Sequence, residues 1–564
     1  MKPIMSRGGL SWMGLWGSIL LMVTVPVALA GAVFTLGSLV QVSDLDPPDP
    51  LASCTADNID AQKVMGSALF DSSEVEPWVD VNPTDSNNIV ATWQQDRWSD
   101  GGARGLLVAA STDGGATWTR VPLANTPHTT LCTGGTAANG GGFQRASDPW
   151  LSFGPDGTVY HVSLSFNFFP PPNRSGGFGP SALLVSRSTD KGMTWSAPVT
   201  IITDTNPRVL NDKESITADP TDANLVYVVW DRLVVPAGFA INPENVFGNG
   251  FKGPAMISRS TDGGVTFDRP RILFDPAANG QTIGNQIVVL PDGTLVNATN
   301  WIVKVGNPHL GTQLFLLAIL RSTDKGVHWP AKPVAVSQIV DVPVTDPNTA
   351  EPVRTGDIIP EIAVDPRKGK SNLYVVWQDA RFSGLNHSDI AFSMSTDGGS
   401  TWTPSPVMIN KTPASANVPA FTPSVHVAPD GRVSVTYYDF RNLSSSNTTT
   451  LPTDYWILNC LPSATDCTVA GNWTEQHLAG PFDMKLAPIA RGFFVGDYEA
   501  LGAAVTTGGT VFDPVFVTAV SHANPTDVFT RTATAPTAPS ARFPTVDPFD
   551  VLARMARALG VFGP

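Results

Sequence analysis

Ser111-Thr112-Asp113-Gly114-Gly115-Ala116-Thr117-Trp118 has the composition of a tight turn with an apolar anchor. Its pattern, Ser-x-Asp-x-Gly-x-Thr-Trp, returns at residues 188–195, 260–267, 322–329 and 395–402. Each copy follows an apolar run, such as 106–110, 182–185 or 314–320, and leads into a stretch rich in Val, Ile, Pro and Thr. That context makes the octet the turn of a β-hairpin. Asp113, Asp190, Asp262, Asp324 and Asp397 are short carboxylates suited to accept bonds from turn N–H groups. The glycine that follows tolerates positive φ, and the Trp anchors the hairpin. The fourth copy has His328 in place of Thr, and the third ends in Phe267. A hairpin repeated in this way predicts a repeat fold, and nothing in the octet is itself chemistry.

Between the octets a second unit recurs: an apolar strand, a Pro/Asp/Gly turn, then a strand of β-branched and aromatic residues. Its seven turns lie at Asn82-Pro83, Pro155-Asp156-Gly157, Asp219-Pro220, Pro291-Asp292-Gly293, Asp365-Pro366, Pro429-Asp430-Gly431 and Thr507-Gly508-Gly509. The octets resemble the Asp boxes, or BNR repeats, of the sialidase superfamily, a resemblance that implies a β-propeller. The expected fold is therefore all-β, with seven four-stranded blades over residues 60–535 and six blades, as in sialidases, as the alternative. The sixth unit has no octet but sets Cys460 and Cys467 across the equivalent hairpin, ahead of Trp473. The seventh stops after a third strand near 527–534, and the segment 63–70 is expected to donate the fourth. Radial repetition of short sheets hides their edges.

The ends read differently. Lys2 and Arg7 precede an uncharged stretch, 8–43, that contains Ala28-Leu29-Ala30. Residues 1–43 are expected to be a signal peptide cleaved after Ala30 or an N-terminal membrane anchor, since apolar residues continue to Val40. Residues 44–59 read as a linker. Residues 536–564 read as an Ala/Pro/Thr/Ser linker and a short amphipathic helix opened by Asp547-Pro548, with Val551, Leu552, Met555, Ala558 and Leu559 on one face. The four cysteines suit an exported chain, with Cys460 bridged to Cys467 and Cys54 left to pair with Cys132. Neither pair has metal-ligand spacing, and no metal or cofactor is expected. A formal charge of -14 without Lys/Arg clusters argues against nucleic acid. The expected molecule is a monomer, secreted or anchored on the extracytoplasmic side. It meets extracellular glycan or protein, and touches membrane only through its N-terminal segment.

In a propeller the first strands begin and the second strands end on the face opposite the boxed turns. Second strands end in Trp93-Gln94-Gln95-Asp96-Arg97, Trp230-Asp231-Arg232, Trp377-Gln378-Asp379-Ala380-Arg381 and Tyr437-Tyr438-Asp439-Phe440-Arg441. First strands begin near Glu76, Asp148, Glu214, Glu361 and Asp497-Tyr498-Glu499. The sialidase resemblance implies that Arg97, Arg232, Arg381 and Arg441 clamp a sugar carboxylate, that Tyr498 attacks, and that Glu214, Glu499 or Asp96 transfer protons. The chain departs from that family where its Phe-Arg-Ile-Pro signature would stand, reading Val75-Glu76-Pro77-Trp78 instead, and an acid there repels a sialic acid. The recurrent Asp–Arg pattern also reads as pairs that brace each blade, with the clamp as the alternative. Strand alternation turns Tyr498 away from Asp497 and Glu499. Two functions follow: a sialidase-type glycoside hydrolase acting on extracellular glycans, or a non-catalytic cell-surface propeller that binds glycan or protein.

Overall fold

The computed structural model describes residues 33–43, 49–64, 66–168, 179–235, 252–277, 280–305 and 312–535. Six four-stranded antiparallel units follow one another along the chain, from Leu69–Val81 to Thr474–Asp483. A seventh is built from Ala500–Thr506, Gly509–Ala519 and Thr526–Thr530. The first strands, Leu69–Val81, Arg145–Phe153, Val209–Ala218, Gln281–Val289, Glu361–Val364, Ala420–Val427 and Ala500–Thr506, touch in cyclic order, the last against the first. The sheets are thus blades around one axis, a β-propeller, numbered 1 to 7 below. Apolar side chains fill the spaces between blades, as where Val162, Val185 and Ile201 of blade 2 meet Ile216 and Val228 of blade 3.

The octets close the outer hairpins with one repeated network. Ser111 Oγ accepts from Gly115 N at 2.9 Å and donates to Asp113 Oδ1, which accepts from Thr117 N at 2.9 Å, while Thr117 Oγ1 donates to Asp113 Oδ2 at 2.6 Å. The same bonds recur at Ser188, Ser260 and Ser395. In the fourth copy His328 Nδ1 takes the hydroxyl's place, 2.6 Å from Asp324 Oδ2. In blade 6 a Cys460–Cys467 disulfide stands at the same hairpin, with Trp473 Nε1 donating to Cys467 O at 2.9 Å.

The missing strand of blade 7 comes from elsewhere than the sequence suggested. Val40 and Gln41 pair with Thr530 and Phe529, whereas the segment 63–70 is divided between a helix, Ile59–Val64, and the opening of the first strand at Leu69. Thr35–Leu36 pairs in turn with Ala533–Thr534. Phe34 is buried against Phe512, and its backbone N and O are both held by the Gln476 side chain of blade 6. Residues 33–43, expected within the leader or anchor, are therefore part of the propeller over their described length. The stretch expected to be a linker is likewise docked where described: Leu51 and Asp57 are buried, and Cys54 is bonded to Cys132. Among the described residues no helix is long and apolar enough to cross a membrane. The expected leader core before residue 33 and the helix within 536–564 lie outside the described residues.

Candidate functional site

The first strands of five blades slip register as they enter the ring, between Val75 and Trp78, Ser147 and Trp150, Asp212 and Ser215, Ile283 and Gln286, and Phe421 and Ser424. At each slip one residue has left-handed backbone: Glu76 (φ 52°), Asp148 (53°), Lys213 (49°), Gly284 (69°) and Thr422 (49°). For a side chain other than glycine that conformation costs about 1–3 kcal/mol, a penalty typically met at functional sites. A bulge re-aims the side chain it carries. Here it brings three blades to one point: Lys213 Nζ lies 2.7 Å from Asp148 Oδ1 and 3.5 Å from Glu76 Oε1. Asp497, at the entry to blade 7, adds Oδ2 at 2.8 Å.

A bridge crosses part of this mouth. Within the connection from blade 4 to blade 5, Val353–Arg354 pairs in parallel with Phe493–Phe494, just before blade 7. Asn348 ties the bridge to Ser444 O and Asn447 O of blade 6, and Lys485 holds Asp346 at 2.8 Å. The pairing delivers the Arg354 fork to Asp497, with Nε and Nη2 at 3.0 and 2.5 Å. Arg354 and Arg97 both lie over the Phe494 ring, 4.3 and 4.9 Å from its centroid. Arg97 donates to Gln94 Oε1 at 2.5 Å, and Gln94 Nε2 donates to Glu76 and Ser147.

The electrostatics divide the acids. Burial pushes the Glu76 carboxyl up to about 7 against the opposing pull of Lys213. Burial also raises Asp212 to about 6 and Asp357 to about 7. Asp497 is buried too, but Arg354 and Lys213 outweigh that cost and hold it far below the usual carboxylate range. Burial and the neighbouring Arg354 lower Arg97 to about 10, still charged at neutral pH. Glu76, Asp148, Asp212 and Asp497 thus face Lys213, Arg354 and Arg97 at one mouth. Carboxylates pushed in opposite directions side by side are the arrangement from which acid–base pairs are made.

Of the residues singled out in the sequence, the first-strand acids Glu76, Asp148 and Asp497 belong to this assembly, as do the candidates Arg97, Glu214 and Tyr498. Glu214 and Tyr498 line one small cavity of about 10 Å³ with Trp150, Lys213 and Asn285. Both are buried, and neither the Glu214 oxygens nor the Tyr498 hydroxyl has a protein hydrogen-bond partner. Burial raises both pKa values well above normal. The Tyr498 ring sits beneath Lys213 and edge-on to Trp78.

The other candidates lie apart. Arg232 pairs with Asp204 on the outer strand of blade 2 at 2.8 Å, while its neighbour Asp231 bonds Thr282, Gly284 N and Asn285 of blade 4. Arg381 forks onto Asp379 at 2.7 and 2.8 Å. Arg441 binds Asp439 and Glu475, each at 2.6 Å, and covers Trp456. Asp96 meets Arg104 at 3.3 Å and lies within 4.8 Å of the carboxylates of Asp49 and Asp71. Glu499 is buried beside Tyr438, and Tyr498 faces another way, as strand alternation requires.

Lys213 and Arg354 were not singled out by sequence. Lys213 had a signal, since it stands at the same first-strand position as Glu76 and Asp148, and aligning the repeats by their bulges finds it. Arg354 had none, because a long connection places it.

No family model matches the chain, and no curated protein matches it. Among solved structures, a protein of unknown function from Dyadobacter fermentans is 14% identical over 83% of this chain and 98% of its own, with a TM-score of 0.40. A Hadza microbial sialidase, Hz136, is 15% identical over 79% of this chain and 76% of its own, with a TM-score of 0.42. A Penicillium chrysogenum α-L-arabinanase complexed with arabinobiose is 13% identical over 88% and 98%, with a TM-score of 0.40. Likenesses at this level decide nothing about chemistry.

Proposed function

We propose that the propeller mouth engages a neutral, polyhydroxylated sugar of an extracellular glycan and hydrolyses its glycosidic bond. The observation that carries this reading is the meeting of Glu76, Asp148 and Asp497 on the Lys213 ammonium. Asp497, kept ionised, is suited to stabilise positive charge developing on the sugar ring, and Glu76, poised near neutrality, to protonate the leaving oxygen. Four carboxyl groups face Lys213, Arg354 and Arg97 at this mouth, so it offers an anionic sugar little net positive charge. Of the four guanidinium groups expected to clamp one, Arg232, Arg381 and Arg441 are each committed to a carboxylate of the framework, and only Arg97, which donates to Gln94, stands at the mouth. The two disulfides are compatible with an extracellular protein, and export is part of the proposal.

Purified full-length protein assayed on aryl glycosides of neutral sugars should release aglycone. Glu76→Gln and Asp497→Asn should each lower kcat by a factor on the order of 100, the usual scale of general acid–base assistance. Tyr498→Phe should retain activity, since its hydroxyl is buried beneath Lys213. Loss of activity in Tyr498→Phe, with Glu76→Gln unaffected, would return the chemistry to a sialidase-type nucleophile. A second reading, a propeller that binds glycan without turnover, is favoured by the mutual satisfaction of Arg354 and Asp497, which leaves that fork no further work. Saturable glycan binding with no product would establish it.

A further inference from the structure

Gln94 stands between an acid of the mouth and an arginine, and its amide can face them in only one sense. Arg97 Nη1 lies 2.5 Å from one end of that amide. A guanidinium has no acceptor, so this end is Oε1, and Nε2 is turned to Glu76 Oε2 and to Ser147 Oγ, the latter at 3.1 Å. Arg97 is itself fixed, 2% exposed and with its guanidinium 4.9 Å from the centre of the Phe494 ring that the bridge supplies. The two oxygens of Glu76 therefore differ. Oε2 receives the close amide N–H, whereas Oε1 has longer contacts, with Asp497 N at 3.4 Å and Lys213 Nζ at 3.5 Å. An oxygen that bears a proton accepts poorly, so the proton takes the oxygen whose donors are weaker.

We propose that Gln94, oriented by Arg97, is a positioning residue for the acid: it keeps Glu76 Oε2 as the carbonyl oxygen and leaves the transferable proton on Oε1, the oxygen toward Lys213. The acid's part in catalysis rests on the hydrolytic reading above, whereas the placing of its proton does not. In the transfer the Oε1–H bond breaks and the proton joins the leaving oxygen as the glycosidic bond opens. The carboxylate left behind keeps the Gln94 amide and the Lys213 ammonium as donors. Arg97 thus acts through an amide and does not touch the sugar.

The test reads Glu76 in the free full-length protein, as the carboxyl carbonyl stretch that wild type shows and Glu76→Gln lacks, followed in infrared difference spectra across pH. In wild type the band should lie at the lowered wavenumber of a hydrogen-bonded carbonyl. Gln94→Met should move it to higher wavenumber and raise its titration midpoint, about 7 in wild type, by about one pH unit, because the ionised form loses a donor. The titratable groups around Glu76 are Lys213, Arg97 and Arg354 set against Asp148, Asp497, Glu499 and the Tyr498 hydroxyl, and the substitution alters none of them. Gln95→Met, which removes the donor to Glu74 from the same strand, should leave band and midpoint unchanged. The proposal is overturned if Gln94→Met moves neither, if Gln95→Met moves them as far, or, should Gln94→Met not fold, if the wild-type band sits at the wavenumber of a free carbonyl. A wild type that shows the expected band but releases no aglycone removes the hydrolytic reading alone. In an active enzyme, a basic limb that stayed near pH 7 in Gln94→Met would also overturn the proposal.

Discussion

The serine of each octet has the most consequential bond in its hairpin, because its Oγ both accepts from a glycine N–H and orients the aspartate. Ser111 and Ser322 are buried, and each makes that pair of bonds. Serine-to-alanine substitution strands a buried N–H, a loss of about 1–3 kcal/mol. Ser111→Ala and Ser322→Ala are far apart with no shared partner, so their effects should add to within about 0.5 kcal/mol in denaturant melts. A double variant well short of the sum would show that the hairpins are coupled. Glu76 makes a different prediction. Its folded carboxyl, raised to about 7 by burial, prefers the proton, so its favourable contribution is complete below the unfolded value of 4.5 and is lost as pH rises through 7. Against Glu76→Gln, wild type should lose up to about 3 kcal/mol between pH 5 and 8.5, measured by chemical denaturation. With Glu76 as the acid of the proposed reaction, the basic limb of the wild-type rate profile should fall near pH 7. At this scale the octet's aspartate and glycine were legible, but the serine and threonine hydroxyl bonds, and His328 taking the hydroxyl's place, came from the structure. Asp–Arg pairing was half legible: Arg381 and Arg441 stay within their blades, but Arg232 reaches Asp204 of the preceding one.

Elements that carry their own periodicity were visible in the sequence, and those that borrow it were not. Each blade's inner strands announce themselves by alternating apolar residues and a Pro/Asp/Gly turn. The strand that closes blade 7 is only Val40–Gln41, too short to show any period, and it lies in an apolar run whose composition equally suits a membrane. Its value comes from position: it pairs with Thr526–Thr530 while Phe34 packs against Phe512 and is gripped by Gln476. Phe34→Ala should therefore cost about 3–5 kcal/mol, read as a fall in Tm, although the residue lies far from the mouth. An unchanged Tm would mean that the N-terminal strand is not the closure. The bridge at Val353–Arg354 was hidden for a related reason, since parallel pairing with Phe493–Phe494 joins segments well over a hundred residues apart. Lys213, by contrast, lay in plain sight at a repeated position occupied by acids in blades 1 and 2.

As a whole, the molecule uses repetition for stability and departs from repetition for its site. Boxed hairpins in blades 1 to 5, a disulfide in blade 6 and the Val40–Gln41 strand in blade 7 secure the outer edges, whereas the mouth is made where equivalent bulges carry different residues: Glu76, Asp148, Lys213, Gly284 and Thr422. That division explains why the fold could be read from the repeated octet while the site could be read only in part, for function is grafted onto a propeller and does not follow from it. The most direct measurement is a matched pair of fluorogenic glycosides with one aglycone, a neutral hexoside or pentoside series and a sialoside, given to the purified full-length chain. Release from a neutral member, with the sialoside untouched, is the predicted result; preferential cleavage of the sialoside would contradict an acidic mouth built for uncharged sugar.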